Sequence, residues 1–387
     1  MEIRFVSSRD TAVEQDAELP APVARVLDFS GRLLRGRYRL RRRIGIGGMG
    51  AVYEARDQVF ETTVAVKLIH PELARDPEFR RRFLQEARLG ALLRHRHSVA
   101  VSDVGETEDG VLFLVMEHLE GEGLDITLAG GPLPWRRVCT IAAQLCEVLA
   151  EAHDRGVVHR DIKPGNCFLL RTDDGADVVK LLDLGLAKLL PAHRGLVRGP
   201  QGATGRVVGT PEYMAPEQAL GLACDHRVDI YGLGVTMYRL LTGHLPFVDR
   251  SPAMLLRRQI DEPPRPLRQR VPELPTALEA VVLRALAKRP DDRFQGAREL
   301  GDRAERLSER AGRAIEKRGD LLAEPGGDGP VELARSDLRQ EHQRHAHGHA
   351  VVIGRGLESV RERQGDPVER DRVGVVRGHE VGVAREH

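Results

Sequence analysis

The residues best suited to chemistry come in a fixed order along the chain. Gly45-Ile46-Gly47-Gly48-Met49-Gly50-Ala51-Val52 spaces its glycines as G-x-G-x-x-G-x-V, which lets the backbone approach a phosphate closely. Taken alone it is equally an ordinary glycine-rich turn. Val64-Ala65-Val66-Lys67 then sets one lysine in an otherwise apolar strand, where an ammonium is costly unless a phosphate or carboxylate compensates it. Glu86, further on, is the candidate carboxylate. Separately, the two read as an edge-strand charge and a solvated helix residue. His159-Arg160-Asp161-Ile162-Lys163-Pro164-Gly165-Asn166 crowds polar groups between a helix and a strand. Asp161, Lys163 and Asn166 together could handle a hydroxyl proton, a phosphate and a metal. Asp183-Leu184-Gly185 offers a hard oxygen suited to Mg²⁺, or else a tight Asp-x-Gly turn.

The elements around these residues constrain the choice. Residues 1–37 mix charge, Ala, Pro and Gly with little periodicity and read as a mobile lead. From Tyr38 the stretches YRLRRRIG and AVYEARD alternate as strands, with the glycines turning between them. A dinucleotide site would need a helix after the glycines, and the Lys and Ser/Thr of a P-loop are missing, so the loop is expected to cover phosphates as a hairpin lid. TVAVKLI is a third strand, and PELARDPEFRRRFLQEARLGALLRH a single amphipathic helix after its early prolines. VLFLVMEHL closes a small β-rich lobe. Beyond Gly131 the pattern turns helical: WRRVCTIAAQLCEVLAEAHDRG ends at a capping Gly156, and VDIYGLGVTMYRLLTG is apolar nearly all round, as a buried helix should be. CFLL and VVKLL are short strands between these helices, and ALEAVVLRALAKRP and QGARELGDRAERLSER are helical. Pro191 to Gly209 is a long glycine-rich loop. Residues 308–387 are charged, poor in large apolar side chains and expected to be disordered. His345, His347 and His349 in that tail could share a transition metal, but its biased composition accounts for them as well.

Composition excludes several classes. The 387 residues carry 59 Lys+Arg against 58 Asp+Glu, a net charge of +1 that argues against a dedicated nucleic-acid binder. Four cysteines without a C-x-x-C pair indicate neither a zinc site nor a disulfide framework, which points to a reducing cytoplasm. No apolar run approaches the length of a membrane span.

The ordered set resembles a eukaryotic-like Ser/Thr protein kinase, and GIGGMGAVYEARD with HRDIKPGN is most similar to bacterial members. The resemblance covers roughly Tyr38 to Leu307. It implies an α+β, two-lobed fold with an N-lobe over 38–119 and a C-lobe over 120–307. It also implies ATP with Mg²⁺, or Mn²⁺, as cofactors and Ser/Thr-bearing proteins as substrates, with self-association for autophosphorylation. By resemblance, Ile44 to Val52 cover ATP, Lys67 holds its α and β phosphates, and Glu86 positions Lys67. Met116 walls the adenine pocket; Glu117, His118 and Leu119 form the hinge; Ala65 and Leu169 sandwich the base. Asp161 accepts the substrate hydroxyl proton, Lys163 touches the transferred phosphate and marks Ser/Thr specificity, and Asn166 and Asp183 ligate metal. Gly209 to Glu217 docks substrate, and within it Thr210 bridges Asp161 and Lys163. Glu217 and Arg293 form a buried ion pair, and Asp229 holds the catalytic-loop backbone. Thr204 is the expected phosphorylation switch, answered by Arg160. Two positions depart from the pattern: Leu184 replaces the commoner Phe, and Gly90 replaces a larger residue one turn after Glu86. The rival readings are a pseudokinase scaffold and an adaptor acting through its tail. Lys67, Glu86, Asp161, Asn166 and Asp183 are all retained, which favours an enzyme.

Overall fold

The computed structural model describes residues 4–5, 28–172, 175–183 and 210–321. Its N-lobe is an antiparallel sheet built on the predicted alternation. β1 (Arg4–Phe5) and β2 (Leu33–Leu34) both pair with β3 (Tyr38–Gly47), which runs against β4 (Gly50–Asp57) and through it β5 (Thr63–Ile69). In β3, buried Tyr38 and Leu40 alternate with exposed Arg39 and Arg41, so one face packs and the other meets water. β7 (Leu112–Glu117) and β6 (Val101–Glu106) complete the order β1-β3-β4-β5-β7-β6.

The amphipathic helix expected after the early prolines is α2 (Pro77–Leu92), and a separate short helix, α1 (Pro71–Ala74), precedes it. Asp76 restarts the chain as an N-cap, its carboxylate accepting the Glu78 N–H at 2.9 Å, with Pro77 preset in the first turn. Phe79, Phe83 and Ala87 then recur on one face and pack with Ile69, Leu112 and Leu114 of the sheet.

The C-lobe opens with β8 (Glu122–Gly123), α3 (Leu124–Ala129) and α4 (Trp135–Asp154). β9 (Cys167–Arg171) and β10 (Asp177–Leu181) join β8 in a small sheet, order β10-β9-β8. α5 (Pro216–Ala219), α6 (Arg227–Thr242), α7 (Pro252–Asp261), α8 (Thr276–Ala285) and α9 (Ala297–Leu321) follow. One large core binds this lobe, with α6 at its centre. Gly232 lets α6 come close to the catalytic segment, because a Cβ there would meet the Ile162 carbonyl oxygen at 3.1 Å. Cys139, Cys146 and Cys167 are buried in this core, and burial pushes the Cys139 and Cys167 thiols up to about 12, which makes them packing groups.

Two boundaries move, and two elements are added. The ordered region begins before residue 38, since Leu34 is fully buried with Tyr38 and Tyr53 and Phe29 packs on that cluster. α9 continues past the expected limit of 307. Val101–Glu106 and Pro252–Asp261 form elements that the apolar pattern did not announce. The His345 cluster, Thr204 and the loop from Pro191 to Gly209 lie outside the described residues. Among the described residues, no helix is long and apolar enough to cross a membrane.

Candidate active site

The glycine segment folds as the expected hairpin. Gly47 pairs with Gly50, leaving Gly48 and Met49 as the turn. Only glycine fits at 50, where a Cβ would lie 1.7 Å from the Leu68 carbonyl oxygen. Below the hairpin lies a cleft of about 330 Å³ lined by Ile44, Val52, Ala65, Met116, Phe168 and Leu182. Glu117, His118 and Leu119 form its rear edge and Asp183 its inner end. The flat apolar walls suit a heteroaromatic base, and the backbone of the hinge supplies polar groups.

Four expected lining side chains sit elsewhere. Leu169 is buried in the C-lobe core, and Phe168 takes the place opposite Ala65. Met49 packs with Phe79 and Phe83, and Ala51 with Tyr53 and Val66, each on the N-lobe side of the hairpin. Ile46 is largely exposed.

Lys67 is almost fully buried, and its Nζ donates to Asp183 Oδ2 at 2.7 Å. Among the described residues this is its ion pair, so the carboxylate that holds the lysine comes from the C-lobe and not from Glu86, which sits partly buried on α2.

The segment His159 to Asn166 is pinned from below by Asp229 on α6. The Asp229 carboxylate accepts the His159 N–H at 2.9 Å, the Arg160 N–H at 2.6 Å and the His153 imidazole at 2.8 Å. The His159 ring is fixed as well: its Nδ1 accepts the Asp161 N–H at 3.2 Å, so its Nε2 carries the proton donated to Leu182 O at 2.8 Å. Arg160 is held at φ +69° and Asp183 at φ +56°.

On this frame the reactive groups converge. Lys163 Nζ lies 2.9 Å from Asp161 Oδ2 and donates to Thr210 Oγ1 at 2.6 Å. Asn166 Nδ2 donates to both the carbonyl and Oδ2 of Asp161, at 2.7 and 2.9 Å. The Leu182 N–H donates to the Asn166 carbonyl at 2.9 Å, which sets Asn166 beside the strand end that carries Asp183.

A protein kinase domain model matches residues 38–302. The chain belongs to the protein kinase family. It is 45% identical over 274 residues to the serine/threonine-protein kinase Pkn1 of Myxococcus xanthus, covering 71% of this chain and 38% of that protein. It is 39% identical to PknB of Mycolicibacterium smegmatis, covering 76% of this chain and 48% of that one. Thus the chain spans less than half the length of these curated relatives. Among solved structures, the PknI kinase domain of Mycobacterium tuberculosis superposes with a TM-score of 0.57 at 33% identity, covering 72% of this chain and 98% of that one.

Kinase membership implies ATP and a divalent cation in general terms, and the residues fit both. The apolar cleft accepts a base, and Lys67 stands at its inner end. With the Asn166 amide nitrogen committed to Asp161, its oxygen is left for a cation, next to the Asp183 carboxylate. The expected structural pair is also in place: Arg293, fully buried, grips Glu217 through two bonds of 2.7 Å.

Proposed function

We propose that this chain is a Mg²⁺- and ATP-dependent protein kinase that transfers the γ-phosphate to Ser or Thr hydroxyls of proteins. The observation that carries this reading is the Asp161–Lys163–Thr210 contact set beside Asn166 and Asp183. Bound ATP would supply the phosphoryl group, and the cation would neutralise its charge. Asp161, oriented by Asn166 and Lys163, accepts the proton of the incoming hydroxyl. Lys163 also stands where charge on the moving phosphoryl group must be balanced, and Lys67 fixes the phosphates behind it. The oxygens of Asn166 and Asp183 are hard ligands that suit Mg²⁺, with Mn²⁺ as a substitute.

The test is transfer of label from γ-labelled ATP with Mg²⁺. Asp161→Asn should retain nucleotide binding and lose about 10²- to 10⁴-fold in turnover, because an amide cannot take the proton. Near wild-type transfer by that variant, or undiminished transfer in excess EDTA, sinks the reading.

Regulation through Thr204 belongs to the same proposal. Its support is Arg160, whose guanidinium Nε is buried with no hydrogen-bond partner among the described residues, a deficit that a nearby phosphate would relieve. Thr204→Ala should slow transfer to an external protein while leaving nucleotide affinity unchanged, and mass spectrometry of autophosphorylated chain should find Thr204 modified. Cysteine usage favours a reducing cytoplasm as the place of action, and autophosphorylation between copies would require two chains to meet.

A further inference from the structure

Gln259 is a buried polar residue between α7 and the turn that follows Thr210. It lies on α7, is fully buried, and every polar atom of its amide is engaged. Its Nε2 donates to the carbonyls of Glu212 at 2.6 Å and Pro211 at 3.3 Å. The two carbonyls can only accept, which fixes which way round the amide sits, and its Oε1 accepts the Tyr231 hydroxyl at 2.5 Å. Tyr231 is on α6, two residues after Asp229, and its ring lies beneath the Arg293 guanidinium at 4.9 Å. From the other side, Lys288 Nζ donates to the Gln259 carbonyl at 2.7 Å.

Pro211 and Glu212 follow Thr210 directly and form a 3-10 turn, Pro211–Tyr213, in the segment expected to dock the acceptor chain. Side-chain ties hold the turn along its length. Thr210 is tied to Lys163, Tyr213 accepts from Arg239 at 2.5 Å, and between them the carbonyls are tied to Gln259 alone among described side chains. The first tie belongs to the reaction centre and the second to α6. Gln259 therefore governs the height and tilt of the platform with no contact of its own to the cleft.

We propose that Gln259 is a positioning residue for the protein acceptor, setting the docking turn through the Pro211 and Glu212 carbonyls and so the affinity for the acceptor but not for ATP. This rests on the kinase reading of the site. A buried amide suits the task because the Pro211 carbonyl also accepts the Met214 N–H at 3.3 Å, whereas the Glu212 carbonyl, left without its donor, would turn outward toward water and tilt the platform with it.

The experiment uses the full chain as enzyme and its Asp161→Asn form as acceptor, with acceptor-free ATP hydrolysis measured in parallel. Gln259→Met keeps the volume and removes the donors; it should raise KM for the acceptor about tenfold at every pH and leave KM for ATP and ATP hydrolysis unchanged. Gln259→Glu supplies a readout that a purely structural role would not move. Ionised, it repels the two carbonyls; protonated, it regains a donor toward Glu212. Its acceptor KM should be raised at about pH 8 and return toward the wild-type value at about pH 6, the range in which a buried glutamic acid takes up its proton. This variant decides the matter should Gln259→Met fail to fold. An unchanged acceptor KM, a parallel rise in KM for ATP, or no pH rescue overturns the inference alone, whereas a wild-type chain that neither transfers phosphate nor hydrolyses ATP overturns the kinase reading itself.

Discussion

Glu217–Arg293 in the C-lobe and Lys67–Asp183 across the cleft are both joined at 2.7 Å, yet their surroundings differ. Arg293 uses all five N–H groups: two on Glu217 and one each on the carbonyls of Ala287, Arg227 and Lys288. Nothing is left over for a ligand. Lys67 has Asp183 as its partner among the described residues, and two of its three protons remain unspoken for. Its partner also arrives from the other lobe, so the contact spans the cleft. A saturated pair can only hold the fold, while an unsaturated one can exchange its partner for phosphate or metal.

The contrast is sharpest under mutation. Glu217→Ala strands a buried guanidinium and should cost about 3–5 kcal/mol, read from urea denaturation; a wild-type midpoint would mean the pair is not structural. Lys67→Met should lower phosphate transfer by about 10²-fold or more while moving the urea midpoint far less than Glu217→Ala does. Equal losses of stability in the two variants would erase the distinction.

A third region refines the comparison because it is saturated yet sits under the reaction centre. Burial works against the charge of Asp229, but the hydrogen bonds it accepts from His153 and the Arg160 amide outweigh it and hold the carboxyl below its ordinary value of 3.8. A carboxyl lowered in the folded state contributes its stability in full above the ordinary value and loses it as pH falls through the folded one. Asp229→Asn should therefore be less stable than wild type at neutral pH, with the gap closing below about pH 4. A gap that stays constant from neutral to acid would show that the Asp229 charge plays no part.

Much of this was legible in the sequence because chemistry and turns leave local marks. The glycine hairpin, the order of Lys67, Asp161, Asn166 and Asp183, and the buried helix around Asp229 stood out by residue type and spacing. What failed depended on tertiary register. In β9, Phe168 and Leu170 face the cleft while Cys167 and Leu169 face the C-lobe core, so an assignment one residue out points to the wrong side of the strand. α7 buries only Leu255 and Gln259, and one of those is polar, which leaves no apolar stripe to read. The resemblance names Glu86 for Lys67, whereas the structure pairs Lys67 with Asp183; both carboxylates satisfy the same argument about charge, and only the packing of the lobes chooses between them.

Arg160 and Asp183 sit at backbone angles that L-residues adopt at a cost of order 1–3 kcal/mol each, and glycine would occupy both without strain. Variants of this chain sorted for heat resistance alone would drift toward glycine at these two positions. Each such gain in durability would remove either the Arg160 guanidinium or a cleft carboxylate. Hardiness and catalysis thus pull the same two dihedral angles in opposite directions, and any effort to toughen the molecule has to find its gains elsewhere.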